Sequence, residues 1–114
     1  MEFKALIEQA LAIRTKYTDV EKERYGRRWS REELMLGLLG DMGDLAKLVQ
    51  AKEGVRHYED LDNKLAHELS DCLWSIIVLA DSYGVDLEAA FLKTMKELNA
   101  HLDVANSHLK DGGQ

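Results

Sequence analysis

The sequence predicts an all-α protein, an antiparallel bundle of about four helices. Proline is absent from the chain, and most of the eight glycines fall where helices would end. Sheets need many turns, so this composition favours long helices. Apolar residues also recur at the 3, 4 and 7 spacing of a helix face. At 114 residues the chain is long enough for one domain, 1–114, with a modest core.

The first helix is expected over Glu2 to Thr18, with Phe3, Leu6, Ile7, Ala10, Leu11 and Tyr17 on one face. A charged and aromatic segment, Asp19 to Trp29, follows, and its Val20-Glu21-Lys22-Glu23-Arg24 portion is able to extend the helix. Ser30-Arg31-Glu32-Glu33 reads as a capping box: the Ser30 hydroxyl accepts from the Glu33 N–H while the Glu33 carboxylate reaches back. A second helix should therefore start at Ser30, run to about Lys52 and end near Gly54. A third is expected from Asp60 to Asp62 onward, stopping before Gly84. Asp86 then caps a fourth, which continues through Phe91, Met95, Leu98, Leu102 and Leu109. The tail Asp111-Gly112-Gly113-Gln114 is expected to fray. Short connections between helices 2, 3 and 4 favour antiparallel neighbours.

Several function classes recede on composition. A net charge of −6 speaks against nucleic acid as a partner, which wants a basic surface, but not against a phosphate ligand neutralised by a divalent cation. No stretch approaches a membrane span, and the start lacks the apolar core of a signal peptide. Cys72 is the only cysteine, so no internal disulfide can form and a reducing cytoplasm fits. There is no Gly-rich phosphate loop, no cysteine pair for zinc and no Glu-x-x-His for a di-iron site.

The informative feature is a polar intrusion into two apolar stripes. At 100° per residue, helix 2 places Leu34, Leu38, Leu45, Leu48 and Val49 in one sector. Asp41 falls inside that sector and Asp44 on its edge. The stripe of helix 3 is Leu61, Leu65, Leu69, Cys72, Ile76, Leu79 and Tyr83, with Glu68 inside and Asp71 on its edge. Position 56 lies midway between Asp41 and Asp71 and equally between Asp44 and Glu68, near the middle of the connecting loop. An antiparallel hairpin would therefore bring all four carboxylates to one depth. Buried together without compensation, they would cost several kcal/mol each, so protons or cations must relieve them. An all-oxygen set suits Mg²⁺, with Mn²⁺ as the other option, rather than zinc. Gly37 and Gly40 beside the acids leave room for a ligand.

The competing reading is a solvated acidic edge, neutralised by salt bridges to Lys47 and Lys64. Lys64, one turn before Glu68, is open to two roles, phosphate contact or plain ion pair. Arg14 could reach the site or merely snorkel. Trp29 and Tyr25 could stack on a base or plug the core. Trp74 is placed on the face of helix 3 opposite the acids. With Leu73, Ile77 and Val78 it makes that half of the helix apolar nearly all round, which suggests a dimer interface.

Leu39-Gly40-Asp41-Met42-Gly43-Asp44-Leu45-Ala46-Lys47 and Glu68-Leu69-Ser70-Asp71-Cys72-Leu73-Trp74, with the continuation to Leu87-Glu88, resemble the MazG-like nucleotide pyrophosphohydrolases of the all-α NTP pyrophosphatase superfamily. The resemblance covers about 30–102. The family pattern is Glu-x-x-Glu followed by Glu-x-x-Asp. Glu68 and Asp71 match the second pair, whereas Asp41 and Asp44 are each one methylene shorter than the family's glutamates. The resemblance implies Mg²⁺-dependent cleavage of nucleoside triphosphates between the α and β phosphates, giving a monophosphate and pyrophosphate. It implies metal ligands Asp41, Asp44, Glu68 and Asp71, a general base at Asp41 or Glu68, and substrate contacts from Lys64, Lys47, Trp29 and Arg14. A homodimer or homotetramer is implied as well. The alternatives are a relative acting on phosphoribosyl-ATP, dUTP or dCTP, and a helical module that binds nucleotide or a partner protein without turnover.

Overall fold

The computed structural model describes residues 2–112, with side chains through position 109. All of its regular structure is helical: α1 (Phe3–Tyr25), α2 (Arg31–Lys52), α3 (Leu61–Ser82) and α4 (Leu87–Gly112). The chain divides into two compact units, Met1–Gly84 and Val85–Gln114, so α1, α2 and α3 belong together and α4 stands by itself.

Within the first unit α2 packs mainly on α3, and α1 also rests on α3. The α2–α3 pair is an antiparallel hairpin, because each end is tied to the opposite end of its neighbour. Arg31 at the start of α2 donates from Nε and Nη2 to the Ser82 carbonyl at the end of α3. Lys52 at the end of α2 pairs with Asp62 at the start of α3, 2.6 Å apart. Between them, the Val55 N–H returns to the Gln50 carbonyl at 2.8 Å and Gly54 adopts φ +84°, the left-handed stop that glycine provides without a Cβ clash.

The helix starts follow local chemistry. Ser30 forms the full capping box with Glu33: its Oγ accepts from the Glu33 N–H at 3.2 Å and its own N–H donates to Glu33 Oε1 at 3.0 Å. Arg27 joins the same carboxylate, and this hydrogen bond, with the capping contacts, lowers the Glu33 pKa to about 2. In the second unit the Asp86 carboxylate accepts from the Ala89 N–H at 3.1 Å and caps α4.

Three expectations need correction. α1 does not stop at Thr18 but continues to Tyr25, ending where Gly26 turns to φ +76°; nothing between Asp19 and Arg24 breaks a helix. Trp74 is not on the far side of α3 from the acids. It faces α1, donating from Nε1 to the Ala10 carbonyl at 3.0 Å and lying 5.6 Å from the Tyr17 ring. The tail was expected to unravel from Asp111, yet α4 carries on through Gly112; Gly113 and Gln114 lie outside the described residues.

The core of the first unit is shallow. Ala10, Leu38, Leu48, Ala51, Cys72, Ile77 and Val78 are its buried apolar residues. Leu69, Ile76 and Tyr83, expected in the α3 stripe, are exposed. α3 is flanked by two helices, and the side chains it buries are rotated toward both. Among the described residues, no helix is long and apolar enough to cross a membrane.

Candidate metal centre

The hairpin register decides the site. Asp41, Asp44 and Glu68 each offer one carboxylate oxygen, and these oxygens lie within 4.8 Å of one another. Asp71 stands at the margin, its Oδ2 paired with His67 Nε2 at 3.1 Å, but its charge is close enough to act on Asp41 and Glu68. Burial, then the Asp71 and Asp44 charges, push the Asp41 carboxyl above its ordinary value. Burial also raises Glu68, reinforced by Asp41, Asp71 and Asp44.

The protein supplies little to relieve this crowding. Glu68 Oε2 is buried with no hydrogen-bond partner. Among the described residues no ion pair joins Lys47 or Lys64 to an acid, so the salt bridges that would have made the cluster a neutralised edge are not formed. An orphaned buried carboxylate oxygen among other carboxylates is a strong acceptor lacking a donor or a cation. The donor set is all oxygen, which fits a hard divalent ion such as Mg²⁺.

Each of two grooves is lined by two of these acids. One, of about 570 Å³, is lined by Asp44, Lys47, Tyr58, Asn63, Lys64 and Glu68 among others. Lys64 Nζ lies 5.7 Å from the Tyr58 ring centroid. Asp60, at the mouth, starts α3 with φ +53° and accepts from Asn63 Nδ2 at 2.8 Å; aspartate tolerates that left-handed conformation better than most residues. The other groove, of about 490 Å³, takes Asp41 and Asp71 on one wall and Tyr17, Tyr25, Trp29 and Trp74 around them. Two lysines and one tyrosine thus flank Asp44 and Glu68, while four aromatic rings and two arginines, Arg14 and Arg24, surround Asp41 and Asp71.

Trp29 is 41% exposed and lines the aromatic groove rather than plugging the core. Arg14 lines that groove too, but both terminal nitrogens are committed to Glu21, at 2.7 and 3.0 Å. A Cβ built at Gly37, Gly40 or Gly43 would meet nothing within 4 Å, so this side of α2 is open. Sequence reasoning missed Glu21, Tyr58, Asn63 and His67. The Arg14–Glu21 pair was legible as an i, i+7 coincidence on one helix face, had α1 been carried past Thr18. The His67–Asp71 pair is an i, i+4 neighbour on α3.

Comparison with known proteins agrees with this geometry. The family model described as the MazG nucleotide pyrophosphohydrolase domain matches residues 29–101, a span that holds all four carboxylates and both lysines. No curated protein and no solved structure gives a significant match.

Proposed function

Since the chain belongs to the MazG nucleotide pyrophosphohydrolase domain family, we propose that it hydrolyses nucleoside triphosphates between the α and β phosphates, with Mg²⁺ held by Asp41, Asp44 and Glu68 and with Asp71 beside them. The observation that carries this reading is the meeting of three carboxylate oxygens within 4.8 Å, one side chain of the set having a buried oxygen without a partner. Mn²⁺ would satisfy the same ligands. When bound, the ion supplies positive charge against the phosphate oxygens.

The chain's own residues do the rest. Lys47 and Lys64, free of ion pairs in the first groove, hold the phosphate chain by charge. The aromatic groove offers ring faces to a base, with Trp29 and Trp74 on its walls. Water attacks the α-phosphorus, the bond to the β-phosphate oxygen breaks, and pyrophosphate leaves. The water proton passes to whichever of Asp41 and Glu68 keeps a carboxylate oxygen not engaged by the ion. Asp41 and Asp44 are each one methylene shorter than the glutamates of the family pattern, yet their carboxylate oxygens still come within 4.8 Å of one from Glu68.

The protein acts, on this reading, as one domain over 1–114, in the cytoplasm, without nucleic-acid or membrane partners. It acts as a homo-oligomer, dimeric or tetrameric. Met35, Leu39, Met42 and Val49 on α2, and Leu69, Leu73 and Ile76 on α3, are all at least 43% exposed. Their spacings of 3, 4 and 7 are those of helix seams that expect partner helices.

The deciding experiment is pyrophosphate release from a panel of nucleoside triphosphates, including dUTP and dCTP, with Mg²⁺ and with a chelator, for the wild type and for Glu68→Gln. Release that needs Mg²⁺ and is lost in Glu68→Gln supports the proposal. No release with any substrate, together with a melting temperature raised by Mg²⁺ and nucleotide, would favour a binding module.

A further inference from the structure

We infer that Glu21, a carboxylate outside the acidic cluster, is the positioning residue of the aromatic groove: it fixes the Trp29 backbone and the Arg14 side chain and so governs which nucleotides enter. The inference rests on the nucleotide reading above and deepens it.

Among the described residues of the first unit Glu21 is the one buried carboxylic acid, 6% exposed. It sits on α1 and engages the Arg14 guanidinium and the Trp29 backbone, the Arg14 side chain being nearly as enclosed at 13% exposed. Oε2 accepts from Arg14 Nη1 at 2.7 Å; Oε1 accepts from Arg14 Nη2 at 3.0 Å and from the Trp29 backbone N–H at 2.7 Å. Burial works against its charge, yet the Arg14 hydrogen bond, the Trp29 N–H and the Arg14 charge outweigh burial and hold the carboxyl below its ordinary value. It is therefore ionised at neutral pH and fully engaged.

The placement explains why an ion pair stands where an apolar pair would pack as well. Trp29 lies in the stretch between α1 and α2, where its N–H has no helical acceptor. Glu21 provides that acceptor and thereby ties the stretch to α1. α1 is itself fixed to α3 by the Trp74 to Ala10 hydrogen bond and the Tyr17–Trp74 ring contact. Two walls of the groove, Trp29 and Trp74, are thus held at a set spacing by one carboxylate and one indole N–H. Arg14 and Glu21 line the same groove, so the pair sits where a substrate passes and not behind it. Buried charged pairs seldom stabilise more than an apolar pair of equal volume; what this one provides is a fixed geometry.

Two variants test the inference. Glu21→Gln sets an amide N–H₂ against the guanidinium and breaks the fork. Arg14→Met/Glu21→Leu removes the pair in favour of apolar packing and protects the fold. Amide hydrogen exchange at Trp29 should quicken at least ten-fold in the double variant, while exchange at Leu38 inside α2 stays within two-fold. In pyrophosphate release, KM should rise at least five-fold for the best triphosphate while kcat changes less than two-fold. The preference for that substrate over the next best should narrow, and the Mg²⁺-induced rise in Tm should stay as in the wild type. A folded double variant with unchanged Trp29 exchange, or with unchanged KM and unchanged selectivity, overturns the inference. If the wild type neither turns over nor binds nucleotide, the nucleotide reading fails and this inference falls with it. Trp29 exchange then shows whether the clamp persists as a structural tie.

Discussion

Removing one charge from the acidic cluster should make the metal-free protein more stable. Two full charges 4.8 Å apart, the spacing that bounds the Asp41, Asp44 and Glu68 oxygens, repel by about 3.5 kcal/mol at an effective dielectric near 20 and by about 0.9 kcal/mol in water. Glu68 faces two such neighbours. Asp44 is exposed and Asp41 half-buried, so the relief from Glu68→Gln should be about 1–3 kcal/mol. The amide also gives the neighbouring carboxylates a donor that Glu68 Oε2, buried and unpartnered, cannot give. For a domain of this size each kcal/mol moves Tm by roughly 4 °C, so the variant should melt some 4–12 °C above the wild type in a chelating buffer. Mg²⁺ reverses the order. At a hundred times its Kd a ligand adds about 2.7 kcal/mol, and the wild type should gain that amount while Glu68→Gln gains less than a third of it. Thermal unfolding by far-UV circular dichroism, with chelator and then with Mg²⁺, measures both. A variant that melts below the wild type in chelator, or one that gains as much from Mg²⁺, would refute the view that these carboxylates share a cation site.

Other outcomes follow from the same structure. Without metal, Tm should fall as pH rises from the ordinary carboxylate range toward neutral, because folded Asp41 and Glu68 keep protons that the unfolded chain has released, and the native state binds more of them. Glu21, held low, acts in the opposite sense and withdraws its stabilisation only as pH drops below that range; a chelated Tm that climbs from pH 5 to 7 would contradict the first of these signs. Ser30→Ala should cost about 1 kcal/mol by removing the Glu33 cap, whereas Ser30→Gly should cost only a few tenths, a contrast visible in urea midpoints. Lys64→Met should change stability by less than about 0.5 kcal/mol, since Lys64 makes no ion pair, but should raise KM about ten-fold at unchanged Mg²⁺ affinity.

Much of this protein is legible in its sequence because the signals are local. The capping box at Ser30, the aspartate cap at Asp86 and the glycine stops at positions 54 and 84 each act within a turn of helix, so the limits of α2 and α3 and the start of α4 can be read directly. The depth at which the acids meet is also local in origin: a hairpin with a short loop has one register, and position 56 marks its middle. The end of α1 was less legible, since Asp19 to Arg24 neither favours nor breaks a helix strongly and only Gly26 stops it. The partner of Trp74 was not legible at all. Periodicity gives the phase of a side chain around its own helix, but not which neighbour lies in that direction.

The sequence by itself determined that the chain is helical, where its hairpin turns, and that four carboxylates fall in two matched pairs. Each of these follows from periodicity, capping and loop length. Tertiary structure alone decided that Trp74 faces α1, that Lys47 and Lys64 leave the acids unneutralised, that Glu68 keeps an oxygen without a partner, and that Glu21 joins Arg14 to Trp29. These depend on distances between side chains far apart in the chain, and such distances are set by how helices pack rather than by any spacing along one of them.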